Sequence, residues 1–195
     1  ARAATTPRPV AIGIAGQVAK EYDATTAASL GAGQFVLDGV IQGDAVSVGG
    51  PALGNFDSAN VGQGKTITVT GQFQISGGDA FNYRVGANGL GGAGTGRGTA
   101  TGAVRTITPA TRVYTATPVL RDAGTPAVGL TGTVTGFKGA DTLASATTGV
   151  LVWQTSATSA SPGLYPVIGA GLTAVNYVLV QAPGDEVAMQ VTAGS

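Results

Sequence analysis

Thr66-Ile67-Thr68-Val69-Thr70 alternates polar and apolar residues strictly, which is the period of a strand with one buried face. Thr131-Gly132-Thr133-Val134-Thr135 repeats the alternation, and Val187-Ala188-Met189-Gln190-Val191 follows it more loosely. Residues 150–153, 164–168 and 177–180 are further short runs rich in β-branched and aromatic residues. Glycine interrupts nearly every window long enough for a helix, so a single helical turn over residues 140–146 is the only helical expectation. Short strands separated by turn residues about every 8–12 positions predict an all-β protein.

The densest run of breakers is residues 86–98, with seven glycines in thirteen positions. Glycine loses much conformational entropy on ordering, so this run reads as a linker or a long exposed loop over residues 86–101. Dividing the chain there exposes an internal repeat. Tyr22, then Gly39-Val40-Ile41-Gln42-Gly43-Asp44, then Asn82-Tyr83 stand in the first half. Tyr114, then Gly136-Phe137-Lys138-Gly139-Ala140-Asp141, then Asn176-Tyr177 stand in the second. Order and spacing match, which predicts two tandem small β domains, immunoglobulin-like sandwiches or β-grasp-like folds, with little or no helix. The expected layout is an N-terminal extension over 1–8, a first module over 9–85, the linker or loop over 86–101, and a second module over 102–192.

Composition narrows the chemistry. The 195 residues contain no His and no Cys, so the side chains that most often build transition-metal sites are missing, as is the usual general base at neutral pH. Ten basic and ten acidic residues cancel, leaving no electrostatic footprint for nucleic acid or an anionic membrane. No stretch reaches the roughly 18 apolar residues of a membrane-spanning helix. The apolar content is largely Ala and Val, so any core is thin and Trp153 and Tyr165 read as core or strand-packing aromatics rather than a sugar platform.

Several strings imitate functional motifs. Residues 59–66 fit a P-loop pattern with Ala in first position, but the alternating strand that follows denies the helix N-terminus a phosphate would need, so the string reads as a turn leading into a strand. Residues 89–94 match a dinucleotide fingerprint only because a glycine-rich run matches almost any glycine pattern. The acidic residues Asp23, Asp38, Asp44, Asp57 and Asp79 are dispersed, with no calcium-loop spacing, and Asp44 and Asp141 read as turn residues accepting backbone N–H groups. Glu21 and Glu186 lie near module ends and do not suggest a glycosidase pair. The expectation is a protein without catalytic residues, cofactor or metal. Tyr22, Asp44, Asn82, Tyr83, Tyr114, Asp141, Asn176 and Tyr177 are its structural landmarks, because repetition in tandem units favours architecture over a unique site.

The same landmarks carry a family resemblance. Tyr22-Asp23-Ala24-Thr25-Thr26, the Gly39 to Asp44 segment, Asn60-Val61-Gly62 with Gly64-Lys65, the Thr-Val-Thr-Gly strand and Asp79-Ala80-Phe81-Asn82-Tyr83 resemble the YDG-type repeat of large bacterial exoproteins. Thr131 to Phe137, Gly139-Ala140-Asp141, Trp153 with Thr155, Ser161-Pro162-Gly163 with Tyr165-Pro166-Val167, and Asn176-Tyr177 resemble the companion MBG domain. Ala24 stands where the YDG pattern usually has Gly. The resemblance implies tandem modules of filamentous-haemagglutinin-like adhesins that Gram-negative bacteria export by two-partner secretion. It implies a secreted or outer cell-surface location, a stalk role with assembly into filaments or extended arrays, and a part in biofilm. It also implies copies of the chain or adjacent repeats as partners. A second reading is a module that binds glycan or a host or matrix surface through loops such as 86–98 or 156–161. A carboxylate-dependent hydrolase is a remote third.

Overall fold

A computed structural model describes residues 6–85, 94–157 and 161–194, and its chain divides into two compact units. The first comprises Ala1–Lys20 and Thr25–Thr108, the second Glu21–Ala24 and Pro109–Ser195. The expected all-β architecture is found; among the described residues, helical structure is limited to three short 3-10 turns and one four-residue α-helix.

The first unit holds β1 (Arg8–Ile14), β2 (Ala19–Glu21, its last residue belonging to the second unit), β3 (Ala27–Ser29), β4 (Phe35–Asp38), β5 (Ser47–Gly49), β6 (Leu53–Phe56), β7 (Gly62–Ser76), β8 (Tyr83–Val85) and β9 (Gly94–Thr108). They form one sheet with the order β3-β6-β7-β9-β1-β4, to which β2, β5 and β8 attach through β9, β7 and β1. The alternation read in the sequence places Ile67, Val69, Phe73 and Ile75 of β7 in the core and leaves Thr68, Thr70, Gln72 and Gln74 to solvent. Phe73 meets Phe35 edge to face, with ring centroids 5.4 Å apart. Gly50 makes room for that ring, since a Cβ there would lie 2.5 Å from Phe73 Cε1. Burying such a side chain stabilises the fold by about 1.5–3 kcal/mol.

The expected linker over 86–101 gives way from Gly94 onward, while residues 86–93 lie outside the described residues. Gly94 to Gly98 are the start of β9 and pair antiparallel with Ile75 to Gly71 of β7. Gly98 lies beside Phe73, where a Cβ would come within 3.2 Å of the ring, so a glycine that weakens an isolated strand here admits a large neighbour. Because β9 runs on to Thr108, residues 102–108 belong to the first unit rather than opening the second.

The second unit holds β10 (Ala110–Ala116), β11 (Val119–Asp122), β12 (Gly132–Thr135), α1 (Leu143–Ala146), β13 (Thr148–Gln154), β14 (Gly163–Tyr165), β15 (Ile168–Thr173), β16 (Tyr177–Gln181) and β17 (Met189–Thr192). Its sheets have the orders β12-β10-β16, β11-β17-β14 and β13-β15. Helix α1 falls within the anticipated turn, and its N-terminus is capped by Thr142, whose hydroxyl accepts from the Ser145 N–H at 3.1 Å. The run 164–168 is broken at Pro166-Val167 between β14 and β15. Val187 ends a 3-10 turn, so the last strand starts at Met189. The core is thin: Ala116, Ala157, Val167, Ala188, Met189 and Val191, with Leu130, Trp153 and Tyr165 packed against it.

Both units share a pairing scheme. Strand β1 runs parallel to β8, with Arg8 opposite Tyr83, and antiparallel to β4. Strand β10 runs parallel to β16, with Ala110 opposite Tyr177, and antiparallel to β12. Two further parallel pairs join β1 to β9, at Gly13 and Thr101, and β11 to β17. Two purely antiparallel sheets of the immunoglobulin kind would lack these parallel pairs.

Candidate functional site

The shared scheme brings one constellation to the same place in each unit. Ile41 to Asp44 form a β-turn closed by the Asp44 N–H donating to the Ile41 carbonyl at 3.1 Å, and Lys138 to Asp141 form another, closed at 3.0 Å. The first turn has its left-handed residue third, Gly43 at φ 99°, whereas the second has it earlier, Gly139 at φ 54°. Each turn follows a strand and a left-handed glycine, Gly39 at φ 97° and Gly136 at φ 98°. The phenol of Tyr83 accepts from the Ile41 N–H at 3.0 Å and donates to Asp44 Oδ2. In the second unit Tyr177 accepts from the Lys138 N–H at 3.1 Å and donates to Asp141 Oδ2 at 2.5 Å. One hydroxyl thus ties both ends of a turn to the strand that carries the tyrosine. Asp44 and Asp141 are turn residues, as expected, but their carboxylates accept from these phenols rather than from the backbone N–H groups the sequence reading supposed.

The second unit adds a shell to this hub. Tyr22, on the four-residue segment counted with that unit, donates to the same Asp141 Oδ2 at 2.9 Å. Its ring meets Tyr177 edge to face at 5.2 Å, and Phe137 meets Tyr177 likewise at 5.5 Å. Glu21 stands 3.8 Å from Lys138, and Tyr22 also hydrogen-bonds the Asn176 side chain. Ala24 takes φ 65° and lies where a Cβ on Gly139 would approach its own to 2.9 Å, so glycine at 139 is what admits it. Arg112, only 3% exposed, places its guanidinium carbon 4.1 Å from the Tyr177 ring centroid and 5.5 Å from that of Phe137. Its Nη1 donates to the Thr111 carbonyl, while Nε and Nη2 find no hydrogen-bond partner among the described residues, so the aromatic faces and that one bond offset the burial of this cation.

The electrostatics follow from these contacts. Burial, followed by the hydrogen bond to Asp141, pushes the Tyr22 phenol up to about 12. The hydrogen bond to Asp44, followed by burial, holds the Tyr83 phenol above its ordinary value. Phenols so shifted stay protonated at neutral pH and remain hydrogen-bond donors to the carboxylates beside them.

The remaining landmarks separate. Asn82 and Asn176 each precede the hub tyrosine, but Tyr22 and Tyr114 occupy different positions despite their matched spacing. Register puts Arg8 and Ala110 at equivalent places, so Tyr114 corresponds to Ile12, on the inner face of its strand. Tyr114 meets Trp153 edge to face at 6.0 Å. Gly132 and Gly169 flank that pair, where a Cβ would lie 2.3 Å from Trp153 Cζ2 and 2.4 Å from Tyr114 Cδ1. Trp153 also lines an open cleft of about 460 Å³ with Pro126, Ala127, Leu130 and Ala157.

Lys65 of the P-loop-like string lies within β7, where its ammonium meets Asp57 at 3.0 Å and the Ser58 hydroxyl at 2.7 Å. The hydrogen bond from Lys65, followed by that from the Thr66 N–H, holds the Asp57 carboxyl below its usual range. Asp185 escaped the sequence reading altogether. It is 1% exposed, accepts from the Ala116 N–H at 2.8 Å and the Ala182 N–H at 3.3 Å, and fixes the turn before β17. Its only signal was Ala182-Pro183-Gly184-Asp185, a turn string with a capping acid. Of the loops suggested for binding, residues 86–93 and 158–160 lie outside the described residues.

Comparison with known families finds a YDG domain over residues 6–89 and an MBG domain of the YGX type over residues 106–185. The chain therefore carries these two domains in tandem. Neither a curated protein nor a solved structure matches it significantly.

Proposed function

We propose that this chain is a non-enzymatic structural segment of a secreted or cell-surface bacterial adhesin, a pair of stalk modules whose partners are adjacent repeats or further copies of itself. The observation that carries this reading is the parallel pairing of early and late strands. The strand that opens each unit, β1 or β10, runs parallel to a strand near that unit's end, β8 or β16, and β11 runs parallel to β17. Tension along such a pair pulls its strands past each other and stresses the whole ladder of hydrogen bonds together, whereas tension across it opens the bonds one by one. Tyr83 with Asp44, and Tyr177 with Asp141, tie turns to those strands. The tandem YDG and MBG domains support the assignment to filamentous-haemagglutinin-like exoproteins of Gram-negative bacteria, exported by the two-partner route.

Single-molecule stretching tests it. The cysteine-free chain accepts handles at chosen sites, and pulling from the chain ends is compared with pulling through Thr111→Cys and Val178→Cys, which face each other across β10 and β16. The expected result is a rupture force several-fold higher for the end-to-end geometry. Equal forces in the two geometries would overturn the stalk reading.

A further inference from the structure

The second unit holds Tyr22 with three groups: the Asp141 carboxylate, the Asn176 side chain and the Tyr177 ring. The first unit carries the same three residue types at equivalent positions. Asp44 closes its turn, Tyr83 donates to it, and Asn82 precedes Tyr83 as Asn176 precedes Tyr177. Tyr22 has no counterpart there among the described residues. Asp44 is half-buried and Asn82 is exposed, while Ile41 and Phe81 beside them are 53% and 72% exposed. Ile41, whose N–H bonds the Tyr83 phenol, therefore holds an apolar side chain in solvent at the hub itself, open to a partner.

We propose that the Asp44–Asn82–Tyr83 surface of the first unit is a docking site for a tyrosine-bearing segment of the kind formed by Glu21–Ala24, supplied by another module of the same type. The incoming phenol donates to Asp44 and accepts from the exposed Asn82 amide, as Tyr22 accepts from the Asn176 side chain in the second unit. The residue before that tyrosine packs on Ile41. Lys138 stands at the position of Ile41 in the second unit and faces Glu21, so the first unit selects an apolar neighbour where the second selects an acid. The same hub thereby gives different addresses to different segments. The site is independent of the mechanical reading, since it operates in an adhesive module as well as in a stalk.

Disulfide capture tests it on the full chain. The chain has no cysteine, so Ile41→Cys provides a single thiol at the position that meets residue 21 in the second unit. The probe is a peptide of residues 20–25 carrying Glu21→Cys, its sulfur pre-activated as the mixed disulfide with thionitrobenzoate, so that the chain's thiolate attacks that disulfide and releases thionitrobenzoate; the control is the chain with Val128→Cys, 78% exposed and remote in sequence from the turn. Capture at position 41 is expected to be at least about tenfold faster than at 128, the gain from one hydrogen bond to a carboxylate. Tyr22→Phe in the peptide, or the surface change Asn82→Ala in the chain, brings the rate down toward the control. Equal rates at positions 41 and 128, or capture indifferent to Tyr22→Phe in the peptide, would overturn the proposal.

Discussion

Tyr177 and Asp141, 36 residues apart in sequence, are joined by a 2.5 Å hydrogen bond, and Tyr83 and Asp44 make the same bond in the other unit across 39 residues. In each case the phenol also receives the N–H three residues before the aspartate, so removing one hydroxyl unties both ends of a turn. A hydrogen bond to a charged group contributes about 1.5–3 kcal/mol when its loss leaves the acceptor without a protein donor. Tyr83→Phe is expected to lower the stability of the first unit by about that amount. Tyr177→Phe should cost less, because Tyr22 still donates to Asp141. Urea unfolding of both variants, followed by tyrosine and backbone signals, checks the order; a larger loss for Tyr177→Phe would contradict this account of the hub.

Alkaline titration provides a second check. Tyr22 ionises near 12 in the folded chain, against 10.0 for an unperturbed phenol, so between these values the folded state keeps a proton that the unfolded state has lost. Stability from this group is therefore complete below about pH 10 and falls as pH rises through 12. Tyr83 shifts in the same direction. Ultraviolet titration of the five tyrosines should show late-ionising phenols, and Tyr22→Phe should remove one of them and flatten the alkaline decline in stability. A Tyr22→Phe chain with an unchanged titration curve would show that the phenol is not held as described.

What the sequence made legible was local and periodic. The strict alternation at residues 66–70 and 131–135 marks strands, because a half-buried strand imposes a two-residue period that composition cannot imitate for long. The Gly39 to Asp44 and Gly136 to Asp141 segments were visible as a repeat, since each sets a left-handed glycine at its strand end five residues before its aspartate. Strand β9 was hidden because its glycines read as breakers, and the close neighbours Phe73 at Gly98 and Ile14 at Gly102 explain why they suit a strand there. Tyr22 was paired with Tyr114 by spacing, yet which strand a tyrosine faces is set by sheet register, which linear distance does not encode. Asp185 was invisible for a similar reason: its partner Ala116 is 69 residues away.

Asp185 supports a third prediction. Its Oδ1 accepts from Ala116 at the end of β10, and its Oδ2 from Ala182 at the start of its own turn. Asp185→Ala leaves a buried N–H unsatisfied and should destabilise the second unit by about 2–3 kcal/mol. Asp185→Asn keeps one acceptor oxygen and should cost roughly half as much. Hydrogen exchange at Ala116 reads the effect directly, with faster exchange in the alanine variant than in the asparagine variant. Equal exchange in both would mean that the carboxylate does not hold that N–H.

Trp153, the single tryptophan, makes a final prediction easy to read. Gly132 of β12 lies beneath its ring, and a Cβ at that position would fall 2.3 Å from Cζ2 and 2.5 Å from the Thr115 carbonyl oxygen. Neither β10 nor the ring can yield independently, because Tyr114 of β10 meets Trp153 edge to face and is itself 4% exposed. Gly132→Ala is therefore expected to push the indole outward, red-shift its fluorescence and cost about 1–3 kcal/mol, the range for overpacking a tight site. Gly169→Ala strains the other side of the same pair, where its Cβ would meet Tyr114 at 2.4 Å, so the two effects should couple rather than add. Combining Gly132→Ala with Trp153→Leu relieves the ring contact but not the contact with the Thr115 carbonyl, and should recover only part of the loss. Full additivity of Gly132→Ala and Gly169→Ala would show that the Tyr114–Trp153 pair does not transmit strain between β12 and β15.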